Sequence, residues 1–110
     1  MIKVKINRND SGNITAYELS GHANSGPYGY DLVCAAVSAV AFGMTNAVIK
    51  LTEIEPIIDQ GGQGGYLKVV LPDNITDQAL EKAGLLLEGM LTSLQTIERD
   101  YGQYISISEK

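Results

Sequence analysis

The 110-residue sequence contains a single cysteine, Cys34, and a single histidine, His22. One cysteine excludes a disulfide within the chain and a metal cluster built from several cysteine thiolates. The residues after Met1 also lack the basic head, apolar stretch and cleavage site of a secretory signal. Together these absences predict a cytoplasmic protein.

Long hydrophobic runs and dense positive charge are scarce as well. The longest apolar run, 32–44, is interrupted by Ser38 and is shorter than a bilayer span, which predicts that no membrane is bound. The formal charge is −5, and Lys and Arg form no cluster able to neutralise a run of phosphates, which argues against direct nucleic-acid binding. An acidic surface instead suits a basic peptide or protein partner.

Patterns of apolar residues predict seven elements in the order ββαββαβ. Alternation with a period of two is typical of strands, and a three-four spacing is typical of helices. The predicted strands are 2–7, 14–20, 54–59, 66–71 and 104–108, and the predicted helices are 32–51 and 76–98. Because several strands carry one polar face, we expect an α+β two-layer sandwich, in which a mainly antiparallel sheet of about five strands has two helices on one face. The length fits a single domain, 1–110.

Apolar residues exceed what one buried stripe on each helix requires. The first helix is almost entirely apolar, and Leu85, Leu87 and Leu91 are predicted to lie off the main face of the second helix. Since exposed apolar patches usually mark association surfaces, the surplus predicts a homodimer.

His22 and Cys34 flank one segment and are the strongest candidates for chemistry. Asp31 is predicted to cap the first helix, which places Cys34 in the first turn, where backbone N–H groups and the helix dipole favour a thiolate. His22 ends a strand before a loop that must return to this helix, so its ring can serve the thiol as a general base. Backbone N–H groups of the same turn are candidate oxyanion donors.

Structural roles compete with each catalytic one. A lone cysteine in an Ala- and Val-rich helix is more often a small buried hydrophobe, and a single histidine is usually structural. Asp31 has a sufficient role as a cap, although it is also a candidate for orienting His22. Ser38, one turn after Cys34, is either a supporting hydrogen-bonding group or a packing residue.

Neither a metal nor a cofactor is predicted. The glycine-rich run 61–65 lies between two strands and lacks the Lys-Ser or Lys-Thr that follows a phosphate-binding loop, which favours a hairpin turn. Glu53, Glu55 and Asp59 have no second histidine or cysteine near them to complete a transition-metal site. They are predicted to be a solvated face.

The letters GHA at 21–23 and GYDLVCAAVS at 29–38 resemble the signature of a bacterial family, the ribosomal-processing cysteine protease Prp. Length, element order and the Leu-rich second helix agree over essentially the whole chain. The resemblance implies one cysteine protease domain, dimeric, with Cys34 as nucleophile and His22 as general base. It also implies a substrate, the basic N-terminal extension of a bacterial large-subunit ribosomal protein of the L-twenty-seven family, which suits an acidic chain.

The residues around and after His22 are predicted to form a substrate-gating loop, in which two glycines supply hinge freedom. This loop comprises Gly21, Ala23, Asn24, Ser25, Gly26, Pro27, Tyr28, Gly29 and Tyr30.

Two other functions stay open from the residues alone. The first alternative is a non-catalytic, ribosome-associated binding module with a structural Cys34, which would dock on a basic protein through an acidic sheet face. The second is a redox sensor, whose cysteine would need a thiol from another molecule because the chain has no second one.

Overall fold

The computed structural model describes residues 1–22, 31–62 and 65–110. Its elements are β1 (Ile2–Arg8), β2 (Ile14–Ser20), α1 (Leu32–Thr52), β3 (Ile57–Asp59), β4 (Tyr66–Val70), α2 (Asp77–Tyr101) and β5 (Ile105–Glu109). The α+β class and the order ββαββαβ are confirmed. The third strand begins at Ile57 rather than at Ile54. Pro56 has no backbone N–H to donate to a strand ladder, and pairing with β4 begins at the next residue.

The five strands form one sheet in the order β3-β4-β2-β1-β5. Three neighbouring pairs are antiparallel, and β1 and β5 are parallel. Along β1, Ile2, Val4 and Ile6 are buried whereas Lys3 and Lys5 are exposed on the other face. Both helices therefore cover the apolar face, and the predicted two-layer arrangement is confirmed.

A buried polar pair joins α1 to the sheet. Thr45 is the only buried polar side chain among the described residues. Its hydroxyl bonds to the hydroxyl of Tyr17 on β2, and it donates to the carbonyl of Ala41 at 2.7 Å. Burial raises the pKa of the Tyr17 phenol, which stays neutral in this environment. Because a buried hydroxyl needs a partner, the pair fixes how α1 lies across β2.

Helix α1 is longer than the apolar run suggested. It has 21 residues and, among the described helices, is the one long and apolar enough to cross a membrane by length and composition. This corrects the prediction that the run falls short of a bilayer span. A core helix of a globular protein meets the same criterion, and residues such as Val33, Val37 and Val48 pack in the core.

Helix α2 buries a wider sector than a single stripe. Leu87 and Leu91 are 0% and 3% exposed, so the prediction that they lie off the main face is wrong. The helix contacts α1 as well as β2 and β5, and two sets of neighbours bury more than one side of it. Leu85, at 77% exposed, is the member of the three that lies outside the core.

Replacing either member of the buried hydroxyl pair tests how α1 is held. Thr45→Val leaves the Tyr17 hydroxyl buried without its partner and is expected to lower the free energy of unfolding by about 2 kcal/mol. Tyr17→Phe leaves Thr45 bonded to Ala41 and is expected to cost about 1 kcal/mol. Urea unfolding of both variants measures the difference, and a larger loss in Tyr17→Phe would contradict this account.

Candidate active site

Cys34 lies in the first turn of α1, and Asp31 caps that turn. The Asp31 carboxylate accepts from the backbone N–H of Cys34 at 3.1 Å, and its carbonyl accepts from Ala35 at 3.0 Å. Asp31 has extended backbone angles, as an N-cap residue does. The predicted cap is confirmed, and it places Cys34 as the third residue of the helix.

The side chain of Cys34 lies at the boundary between core and surface. The residue is half-buried, forms no disulfide and packs against the edge of the hydrophobic core. Its own backbone N–H donates to the cap, so this group is engaged in the structure rather than directed at a substrate oxygen. The start of the helix still presents the positive end of its dipole to the thiol.

His22 follows the end of β2, where the strand passes close to two neighbours. The N–H of Gly21 donates to the carbonyl of Gly65 at 2.9 Å, which extends the pairing of β2 and β4 beyond Ser20. Gly21 has φ 91°, and a Cβ there would lie 2.3 Å from the carbonyl oxygen of Met1. Only glycine fits this crossing, and His22 leaves the sheet immediately after it with an exposed side chain.

His22 and Cys34 line the same groove, which has a volume of about 420 Å³. Cys34, Ser38 and Phe42 contribute one face of α1, because residues four apart lie one above another on a helix. His22 contributes from the end of β2. The two predicted catalytic residues therefore come from different elements and line one concave surface.

The remaining predicted site residues divide between the groove and other positions. Ser38 is exposed and lines the groove one turn after Cys34, whereas Asp31 is engaged as the helix cap. Gly21 lies in the groove wall. The other members of the predicted gating loop, 23–30, lie outside the described residues.

Several groove residues were missed by the sequence argument. The segment 60–62, Gly65 and Tyr66 form the wall opposite α1, and Leu19 and Leu67 contribute apolar surface from the sheet. The glycine-rich sequence of 61–65 by itself predicts only a hairpin turn. The pairing of β2 with β4 brings the start of β4 beside the end of β2, which makes this segment part of the groove wall. No local sequence pattern reveals that pairing.

Two carboxylates lie near the wall of the groove that Tyr66 forms. The Tyr66 hydroxyl donates to Glu18 at 2.7 Å. This hydrogen bond and the negative charges of Glu18 and Asp59 raise the pKa of Tyr66. Both carboxylates also have cationic neighbours, because Glu18 forms an ion pair with Lys5 at 3.8 Å and Lys68 lies opposite Glu18 and Asp59 in the sheet.

No group of three or more His, Cys, Asp or Glu residues in the described part of the chain is arranged to hold a metal ion. The polar side chains that line the described groove are the thiol of Cys34, the imidazole of His22, the amide of Gln60 and the hydroxyls of Ser20, Ser38 and Tyr66.

Comparison with known proteins identifies relatives of the whole chain. The sequence matches the family model described as cysteine protease Prp over residues 1–106. The ribosomal processing cysteine protease Prp of Bacillus subtilis (strain 168) is 46% identical over 108 residues, which make up 98% of this chain and 96% of that protein.

Two crystal structures of an essential ribosomal processing protease Prp from S. aureus have a similar fold. The complex with a covalently linked product peptide has a TM-score of 0.90 and 44% sequence identity. The complex with a substrate peptide has a TM-score of 0.84 and 43% identity, and each comparison covers 100% of both chains. The similarity thus extends over the whole chain and not only over the Cys34 motif.

The cap of α1 can be tested separately from its charge. Asp31→Ala removes the acceptor for the Cys34 N–H and is expected to lower the free energy of unfolding by about 1 kcal/mol. Asp31→Asn keeps a side-chain oxygen that can cap the helix, so it is expected to retain most of the stability. Urea unfolding measures both, and an equal loss in the two variants would contradict the capping role.

Thr76→Ala provides a matched control, because Thr76 caps α2 in the same way by accepting from the Ala79 N–H at 3.1 Å. Thr76→Ala is expected to lower the free energy of unfolding by a similar amount. It is expected to leave the rate at which Cys34 is alkylated unchanged, whereas Asp31→Ala is expected to change that rate.

Proposed function

We propose a function for this chain from one premise: it belongs to the cysteine protease Prp family, and it is a cysteine protease. The proposed reaction is removal of the N-terminal extension of a bacterial large-subunit ribosomal protein of the L-twenty-seven family. The observation that carries the proposal is that the only thiol and the only imidazole of the chain line one groove.

Cys34 is the proposed nucleophile and His22 the proposed general base. His22 takes the thiol proton, and the sulfur attacks the carbonyl carbon of the scissile peptide bond. The imidazolium then gives the proton to the leaving amine, so the new N-terminus departs and the acyl group stays on sulfur. Water hydrolyses this thioester with His22 again as base, which restores the thiol. Ser38 is proposed as a supporting hydrogen-bonding group beside Cys34.

Two observations favour the proposed substrate: the activity of the relatives and the net charge of this chain. The relatives are ribosomal processing proteases, and two structures of such a relative hold a substrate or a product peptide. This chain carries a net charge of −5, which suits a basic substrate. A negatively charged protein encounters a basic peptide faster than a neutral one does.

The position of Cys34 argues against the competing functions. A structural cysteine in a binding module is expected to be fully buried, whereas Cys34 is half-buried and lines a groove together with His22. A redox sensor would need a thiol from another molecule, because Cys34 is the only cysteine of the chain.

We further propose that the 110 residues act as one domain, in the cytoplasm and as a homodimer. The support for a dimer is the outer surface of α1, where Leu32 and Leu51 are 79% and 61% exposed and Ala36 and Ala39 are exposed between them. Exposed apolar surface of this kind is typical of an association surface.

Incubation with the unprocessed ribosomal precursor tests the activity directly. Wild-type protein is expected to yield one shortened product by mass spectrometry, and Cys34→Ala none. His22→Ala is expected to cleave roughly 10²- to 10⁴-fold more slowly, which is the usual contribution of a general base. Circular dichroism of each variant verifies that it is folded.

The outcomes separate the parts of the proposal. A precursor left whole by folded wild-type protein would overturn the substrate, whereas cleavage that persists in Cys34→Ala would overturn the nucleophile. An undiminished rate in His22→Ala would overturn the base.

The dimer is tested by sedimentation velocity. Wild-type protein is expected to sediment as a dimer, and Ala39→Glu, which places a charge in the middle of the exposed α1 surface, is expected to shift it to monomer. Ser106→Glu, on the exposed face of β5, is the matched control and is expected to remain dimeric. Monomeric wild-type protein would overturn the assembly.

A further inference from the structure

The imidazole of His22 lies directly against the backbone of a glycine on the neighbouring strand. Gly65 immediately precedes β4, and a Cβ built on it would lie 2.6 Å from His22 Nε2 and 3.0 Å from Cε1. Carbon and nitrogen atoms in contact prefer separations near 3.5 Å, so a side chain at this position would push the ring away by about 1 Å. The ring occupies the space that a side chain at residue 65 would fill.

Gly65 also adopts a backbone conformation that favours glycine. Its φ is 67°, in the left-handed region that residues with a Cβ rarely adopt. Its carbonyl accepts the N–H of Gly21, the residue before His22, at 2.9 Å. The same glycine therefore fixes the backbone before the histidine and leaves room for its ring.

We propose that Gly65 is a positioning residue, whose missing side chain seats the His22 imidazole against the start of β4 so that the ring faces the groove lined by Cys34. This inference rests on the proposed function of His22 as general base. It assigns to the glycine-rich segment before β4 a role beyond that of a hairpin turn.

Stability and activity are expected to separate in Gly65→Ala. The clash is with the far end of an exposed side chain, which can swing away into solvent without disturbing the core. The stability loss then comes from the left-handed backbone alone. The activity loss is larger, because moving a catalytic group by about 1 Å commonly costs on the order of 10²-fold in rate.

Gly12→Ala is a matched control. Gly12 has φ 87°, so an alanine there carries the same kind of backbone strain, but no atom lies within 4 Å of its built Cβ. It lies in the turn between β1 and β2 and does not line the groove. Equal falls in the urea midpoint are expected for the two variants, with a roughly 10²-fold lower kcat only in Gly65→Ala.

Gly65→Asn keeps the proposal testable if the alanine variant does not fold. Asparagine tolerates the left-handed region better than alanine, yet it also carries a Cβ. This variant is expected to recover stability without recovering kcat, and KM is expected to change little in either variant. A merely structural glycine would instead have its activity restored together with its stability.

The ring itself provides a readout that does not depend on activity. His22 is the only histidine, so its Hε1 proton gives a single imidazole signal in a proton–carbon NMR spectrum. A displaced signal in Gly65→Ala and an unmoved one in Gly12→Ala are expected. An unmoved signal in Gly65→Ala, or kcat within about twofold of wild type, would overturn the inference.

Failure of the inference and failure of the proposed function are distinguishable. If His22→Ala retained full activity, the base assignment would fall, while the NMR signal of Gly65→Ala would still decide whether the glycine seats the ring. If His22→Ala were inactive and Gly65→Ala fully active, the inference alone would fall.

Discussion

The position of His22 depends on the hydrogen bond between the end of β2 and the start of β4. Gly21 donates to Gly65 across this join at 2.9 Å, and both residues have positive φ angles that favour glycine. Met1 approaches Gly21 from the β1 side so closely that no side chain fits there. Three strand ends meet at one point because two of the residues lack side chains. The chain's only imidazole leaves the sheet at that point.

The other half of the site depends on how firmly α1 is placed. The Asp31 cap sets where the helix begins, and the buried pair of Tyr17 and Thr45 sets where it crosses the sheet. Cys34 lies between these two restraints and is held at the edge of the core. The thiol is thus positioned by a rigid element, whereas His22 is positioned by strand ends. The proposed site is assembled from two elements in this way and keeps its geometry only while the sheet and helix stay packed, so its precision derives from the core.

Much of this arrangement follows from local patterns, and the rest requires knowledge of which strands pair. Alternation in β1 and β2 and the Asp31 cap are local signals, and they predicted the elements and the place of Cys34 in its helix. The parallel pairing of β1 with β5 and the pairing of β2 with β4 join distant segments, so no local pattern reveals them. The burial of Leu87 was missed for the same reason, since α2 contacts both α1 and the sheet. The role of Gly65 became visible only when its neighbour across the strands was known to be His22.

In the proposed mechanism, the imidazole of His22 and the thiol of Cys34 act as a pair within the folded groove. The most direct measurement is the rate at which iodoacetamide alkylates Cys34 at neutral pH, in wild-type protein and in His22→Ala, each folded and in urea. The folded wild-type thiol is expected to react faster than the unfolded one, and His22→Ala is expected to lose this advantage. Equal rates in the two folded proteins, or a wild-type thiol that reacts only after unfolding, would show that the two side chains do not act as a pair.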